Sequence, residues 1–267
     1  GGIGTPVGTP PNAIALGMLA ERGFEINFLT WMIMAVPLVI LMIGLSSFIL
    51  YRIFPPKREQ MTFDLAKTDS GVGAKSVLSI ALVMVLLWLT SPWHKIPEAV
   101  VALLGTAFLT VFGLIDRNDI KAIDWDILIL MWGGLALGDG MEVTGLAQWI
   151  VGLPLFSYEG WKLALIFCVL SVFVSSFISN TATVNLLVPL AVSLPGQNPV
   201  LLAIIVALAS SFDIPLPVAT PPLAMAYGTQ EVSVKEMLKA GIPIILIANF
   251  LILFGIQWMV LHVLHLS

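Results

Sequence analysis

Residues 163 to 212 form a run of fifty residues without one charged side chain, bounded by Lys162 and Asp213. That is too much apolar chain for one bilayer crossing, which takes roughly 20 residues, and it is too interrupted for two. The polar and proline-bearing stretches "SSFISNTATVN" (175–185) and "LPGQNP" (194–199) divide it. Helices from Leu163 to Ser179 and from Thr181 to Leu194 would be about 25 and 20 Å long at 1.5 Å per residue. The second falls short of a hydrocarbon core about 30 Å thick. The pair is therefore expected to form a re-entrant hairpin, 163–194, with Ser179, Asn180 and Thr181 at its tip near the midplane. Non-helical backbone at that depth is tolerated only where it lines protein or a cavity. Pro195, Gly196 and Pro199 then turn the chain into a helix from about Val200, part of a broken element over 200–230.

The rest of the chain fits the same solvent. Apolar residues make up 58%, charged residues 10%, and mean hydropathy is +1.01, beyond soluble usage. Further spans are expected at Phe28 to Ile53, Ser76 to Ser91, Pro97 to Ile115, Ile127 to Val151 and Ile242 to Leu264. This is an all-α polytopic membrane protein. Cys168 stands alone, so neither a disulfide within the chain nor a cysteine metal site is available. The chain opens on "GGIGTPVGTPP" without Met or a signal pattern, and it reads as beginning inside a larger protein.

Orientation follows from Lys and Arg. The segment 54–75 contains Lys57, Arg58, Lys67 and Lys75 and follows Arg52, so it is placed in the cytoplasm. Threading outward puts nine of the twelve basic residues inside and leaves Arg22, Lys95 and Lys162 outside, with the C-terminus outside. A complete crossing by 163–194 would move Lys235 and Lys239 outside and weaken that bias.

Two proline-rich stretches match. Val7, Thr9, Pro10, Pro11, Ala13, Ala15 and Gly17 recur as Val218, Thr220, Pro221, Pro222, Ala224, Ala226 and Gly228. Each copy is followed by a Glu motif, "EINF" at 25 and "EVSV" at 231, and then by an apolar helix bearing Pro37 or Pro243. The threading runs the copies in opposite directions, the signature of an inverted-topology repeat. The prolines strand carbonyl oxygens of the preceding turn. With Ser175, Ser176, Asn180 and Thr220 these form a hard-oxygen ligand set suited to an alkali cation. Helix starts near Pro221 and Ala182 direct positive dipole ends at the same zone and favour an anion. No Lys or Arg lies between Leu163 and Gln230, so an anion there depends on dipoles, hydroxyls, Asn and co-bound cations. The two ligands should therefore bind cooperatively.

"SNTAT", "PVATPP", "GTPPN" and "GGLALGDGMEVTGLAQWI" (from Gly133), in this order and spacing, resemble the divalent anion/sodium symporter family. The match corresponds to the C-terminal three-fifths of a member. The resemblance implies a dimeric elevator-type transporter of inverted-repeat fold, carrying dicarboxylates such as succinate or malate, citrate or sulfate. It implies Na⁺ as the coupling ion, no organic cofactor, no nucleic acid and no enzymatic activity, in the cell inner or plasma membrane. By position, Ser179, Asn180 and Thr181 would contact substrate, with Thr9, Pro10, Thr220 and Pro221 flanking it. Ser175, Asn180, Ala219 and Thr220 would form one sodium site. Gly8 and Thr9 would contribute to the other, whose remaining ligands lie in a first Ser-Asn-Thr motif absent from this chain. The expected division is 1–53 (end of the first repeat), 54–75 (cytoplasmic linker), 76–151 (scaffold spans of the second repeat) and 152–267 (transport elements), with the last span at 242–264.

Some residues depart from that pattern. Leu223 stands where Asn12 supplies an amide in the first copy. Asp213, with Pro215, is either a carboxylate facing water or a neighbouring dipole, or a proton-coupling or cation-tuning group. His94, His262 and His265, and Trp31, Trp88, Trp93, Trp149 and Trp258, are expected at interfaces or in helix packing. "LGDG" at 137–140, with Asp139 and Glu142 nearby, is similar to the Gly-x-Gly-Asp element of intramembrane aspartyl proteases, but Ala136 occupies the first glycine position and no Tyr-Asp pair occurs. The functional classes in competition are a sodium-coupled anion symporter, a sodium-independent or proton-linked exchanger of the same fold, a channel and an intramembrane hydrolase. The hydrolase lacks a nucleophile and base pair.

Overall fold

The computed structural model describes residues 1–55, 72–123, 143–217 and 219–263, with isolated positions 125, 129, 132, 133, 136 and 140. Every regular element among them is helical. They divide into two compact units: Gly1–Ile26, Met32–Pro55 and Asp126–Ser267 form one, and Asn27–Trp31 with Pro56–Trp125 the other.

The larger unit is built around α10 (Pro199–Ala209), in which every residue from Val200 to Ala209 is buried. A helix apolar on all sides must be surrounded. The neighbours packed on it are α1 (Pro10–Glu21), α8 (Trp161–Ser175), α9 (Asn180–Val192) and the π-helical segment Ile252–Ile256. Helix α8 turns Leu163, Ala164, Phe167, Cys168, Ser171 and Ser175 inward, a stripe recurring every three or four residues. Its other side exposes Leu165, Val169 and Phe173. Exposed apolar faces of this kind recur on α2 (Phe28–Ile53) at Ile33, Ile40 and Ile43. They suit lipid or another protein surface rather than water.

Local chemistry sets the helix ends. Helix α1 stops at a left-handed Gly23 (φ 83°), with Phe24 N–H donating to Leu19 O at 3.0 Å and Gly23 N–H to Ala20 O at 3.0 Å. This is a Schellman ending, which glycine adopts without a steric penalty. Its counterpart α11 (Pro221–Gly228) also ends at a left-handed residue, here Gln230 (φ 62°). Both helices start alike, at Thr9 (φ −153°, ψ 145°) and Thr220 (φ −143°, ψ 150°), with proline in the first turn. The matched Glu motifs both cap the helix that follows. Asn27 Oδ1 accepts from Thr30 N–H at 2.8 Å, and Ser233 Oγ accepts from Glu236 N–H at 3.3 Å at the start of α12 (Val234–Leu251). The intervals agree, since 233 − 27 and 243 − 37 are both 206.

In the smaller unit α3 (Val72–Leu89) packs on α5 (Glu98–Val111) across the short α4 (Ser91–His94). Phe28 stacks on Trp88 at 5.1 Å, Trp88 Nε1–H donates to Glu98 O at 3.1 Å, and Glu98 Oε1 accepts from Phe28 N–H at 3.2 Å. His94 closes the turn, its Nε2 2.8 Å from Leu87 O and its Nδ1 accepting from Ile96 N–H at 2.9 Å. Asp116 caps α6 (Arg117–Lys121), and the N–H groups of Asp119 and Asn118 hold its carboxyl below the usual carboxylate range.

Several boundaries differ from expectation. The span expected over Pro97 to Ile115 ends at Val111, because Gly113 (φ 63°) terminates it in a second Schellman motif. The last helix starts at Val234 rather than Ile242, because Ser233 and Glu236 form a capping box. The polar junction of α8 and α9 lies over 176–179 rather than 179–181, because Ser179 caps α9 and Asn180 already opens it. Of the expected span Ile127 to Val151, only scattered positions and α7 (Leu146–Val151) are described. Asp139, Glu142, His265 and most of the linker 54–75 lie outside the described residues.

Candidate functional site

Helix α10 ends in shortened turns, with Ser211 N–H on Leu208 O at 3.1 Å and Phe212 N–H on Ala209 O at 3.0 Å. The chain is irregular over 213–217, and helix resumes at Pro221. Two contacts fix this break. Ile214 N–H donates to Ser176 Oγ at 2.9 Å, while that hydroxyl donates to Val172 O at 2.6 Å. Pro215 packs so closely on Gly241 that a Cβ there would lie 2.6 Å from the proline Cβ. The junction of α8 and α9 and the break between α10 and α11 are thus joined at Ser176. Next to this link, Ser175 and Asn180 face the carboxyl of Asp213.

At the tip itself, Ser179 caps α9, accepting from Ala182 N–H at 3.1 Å. Among the described residues no hydrogen bond occupies the N–H groups of Asn180 and Thr181 in that first turn. They form an anion-favouring helix end. Asn180 Oδ1 is buried without a partner.

The first proline-rich stretch is held differently. Buried Asn12 reaches back from α1, and its Nδ2 donates to Thr5 O at 2.8 Å and Gly2 O at 3.3 Å. Gly8 passes close to the Gly2 carbonyl, and a Cβ on it would also stand 2.9 Å from Thr5 Oγ1. At Leu223 the second copy has no amide to do this, and the Ser176 contact and the Pro215–Gly241 packing hold that break instead.

Thr9 and Asn180 line one cavity of about 460 Å³, together with Gly2, Ser211 and Phe212. Gly1 and Ile3 also line it, and the opposite wall is one face of α2: Val39, Met42, Ile43, Ser46, Ser47 and Leu50, a spacing that follows the helical period. Among the described residues no side chain lining the cavity is charged. Of the expected site residues, Gly8, Thr9 and Pro10 gather at the start of α1, Ser175 ends α8, and Ser179, Asn180 and Thr181 open α9; the cavity brings Thr9 and Asn180 together. Ala219 and Thr220 lie on the second break and are not among the described residues that line the cavity. Sequence reasoning missed Ser46, Ser47 and Ser211. A pair of serines in an apolar helix is a weak signal, and nothing local indicates which way they face.

The profile of a family described as sodium:sulfate symporter transmembrane region matches residues 1–264. The chain belongs to that family. Among its relatives, a protein named sodium-dependent dicarboxylate transporter SdcS from Staphylococcus saprophyticus is 31% identical over 97% of this chain. Its namesake in Staphylococcus aureus strain USA300 is also 31% identical over 97%. A Haemophilus influenzae protein, named only as an uncharacterized transporter, is 30% identical over 90%. The chain spans 56% of the length of each. The family is one of integral membrane transporters rather than enzymes, in keeping with the apolar outer faces of α2 and α8.

Proposed function

We propose that the complete protein is a sodium-coupled symporter of a small divalent anion of the dicarboxylate class. Tricarboxylate and sulfate are recognised by the same kinds of donor. The observation that carries this reading is the cavity shared by Thr9 and Asn180. It sets the proline-broken start of α1 beside the uncharged start of α9. Ser179, Asn180 and Thr181, with Thr9 and Pro10, hold the anion through N–H groups, hydroxyls and the dipole of α9. Thr220 and Pro221 approach it from the second break. Gly8 and Thr9 contribute to one sodium position, and Ser175, Asn180, Ala219 and Thr220 to the other. With no basic residue between Leu163 and Gln230, co-bound Na⁺ supplies the balancing charge. Anion and cation affinities are then coupled by linkage.

The paired helices α8 and α9 serve as the re-entrant hairpin. The matched starts and caps of α1 with α2 and of α11 with α12 support an inverted repeat. An elevator movement of 152–267 against 76–151, within a homodimer, completes the reading. Threading agrees with pairs that meet in space: Arg22 Nη1–H donates to Val192 O at 3.1 Å, and Lys239 sits 5.9 Å from the Phe54 ring.

Uptake of labelled succinate, citrate and sulfate into proteoliposomes containing the complete protein tests this. Uptake that rises several-fold with an inward Na⁺ gradient is expected. Gradient-independent uptake stimulated by internal substrate would make the protein an exchanger, the second reading. Flux without saturation would make it a channel.

A further inference from the structure

Between Leu163 and Gln230 Asp213 is the only charged residue, and it sits in the break where α10 gives way to irregular chain. Its Oδ1 is buried with no hydrogen-bond partner, and so is the Oδ1 of Asn180. Asn180 and Ser175 are the side chains that face the Asp213 carboxyl. The nearby hydroxyls of Ser175 and Ser176 also have a backbone acceptor of their own. Ser176 Oγ–H is directed at Val172 O at 2.6 Å and Ser175 Oγ–H at the same carbonyl at 3.2 Å. Two acceptor oxygens without partners, on side chains that face each other, one of them charged and neither accompanied by a Lys, Arg or His in this stretch, leave the group short of positive charge. A partly buried carboxylate of this kind is stabilised when a positive partner joins it.

We propose that Asp213 is an anionic ligand of the cation held by Asn180 and Ser175, giving that position a formal negative charge. The inference rests on the cation-coupled reading above and adds to it a ligand that the hydroxyl, amide and carbonyl set does not contain. An all-oxygen set of this type fits an alkali cation. The charge belongs to one half of the molecule only. The two proline-rich copies are offset by 220 − 9 = 211 residues, which makes Gly2 the counterpart of Asp213, and glycine offers no side chain. One of the two cation positions therefore neutralises its own ion, and less positive charge remains there for the transported anion.

The test uses the purified complete protein in lipid nanodiscs, with its thermal midpoint followed by intrinsic fluorescence as NaCl replaces choline chloride, without any carboxylate or sulfate substrate. Asp213→Asn is expected to raise the half-saturating Na⁺ concentration at least tenfold, and Asp213→Glu to restore part of the affinity. In choline alone Asp213→Asn should melt no lower than the parent, which shows that the fold is intact. An Asp213→Asn protein with parental Na⁺ affinity overturns the proposal. If it keeps that affinity while Asn180→Ala loses its response, only the role of Asp213 falls. A parent protein that does not respond to Na⁺ removes the cation-coupled reading together with this proposal.

Discussion

Asn12 shows how much one amide can hold in a membrane interior. It is fully buried, and its Nδ2 serves two carbonyls of the opening loop at once. Asn12→Leu, which copies the residue at 223, would leave the Gly2 and Thr5 carbonyls without a partner, at a cost of about 1–3 kcal/mol. The expected result is a lower melting temperature and loss of Na⁺-dependent uptake. Gly8 is fixed for another reason. A methyl group there meets backbone rather than a flexible side chain, so Gly8→Ala has to displace the Gly2–Thr5 turn. Uptake should fall at least tenfold while protein level and dispersity on size-exclusion chromatography hold. Gly241→Ala, which collides with the Pro215 ring, should act through the second break by the same logic. At this scale much of the candidate site was legible. Thr-Pro-Pro announces a helix start wherever it falls, and Ser-Asn-Thr inside an uncharged run announces a polar tip. Asp213 was legible as an anomaly but its neighbours were not, because Ser175 and Asn180 reach it only through the packing of three helices.

Among the elements, ends carry more information than middles. Helix α12 begins where Ser233 and Glu236 cap each other, with Ser233 N–H on Glu236 Oε2 at 2.9 Å. Hydropathy alone starts the span at Ile242, since Lys235, Glu236 and Lys239 occupy the opening turns. The capping box was present in the sequence and outweighed by those charges. Ser233→Ala should cost about 1 kcal/mol, read as a lower melting temperature with little change in the affinity for substrate. Ser176 belongs to two elements, since its hydroxyl joins the turn after α8 to the backbone of Ile214. Ser176→Ala removes the hydrogen bond that Ile214 N–H makes across that joint, and we expect faster hydrogen–deuterium exchange at 213–217 with α10 still protected. That joint could not be foreseen from spacing, because 38 residues separate its partners. Gln230 is the converse case: a non-glycine residue in a left-handed turn. Gln230→Gly should raise the melting temperature slightly or leave it unchanged.

For the whole molecule, the inside and outside sides assigned from charge can be tested on groups that meet in space. Arg22 meets the end of α9, and Trp161, at the start of α8, shares an apolar hollow of about 360 Å³ with Phe254, Trp258 and His262. Lys239 lies instead against Phe54. If the first group lies on one side of the bilayer and the second on the other, cysteines placed at Ser193 and Gln257 should be labelled by an impermeant maleimide from the same side. A cysteine at Lys235 should react from the opposite side. Labelling of Ser193 and Gln257 from opposite sides would exclude a hairpin that returns to its own face. The membrane class could be read from composition, and the helix starts at Pro10 and Pro221 from the two Thr-Pro-Pro stretches. Which helix stands at the centre could not, although α10 carries no polar residue from Val200 to Ala209 that would point it toward solvent.

Cys168 lies buried on the inner stripe of α8, its Sγ–H directed at Asn249 Oδ1 at 2.9 Å. It is the single thiol in residues 1–267, and packing shields it from aqueous reagents. This stretch therefore comes with its own silent background, and reporter thiols can be introduced at its surfaces without first altering the native one.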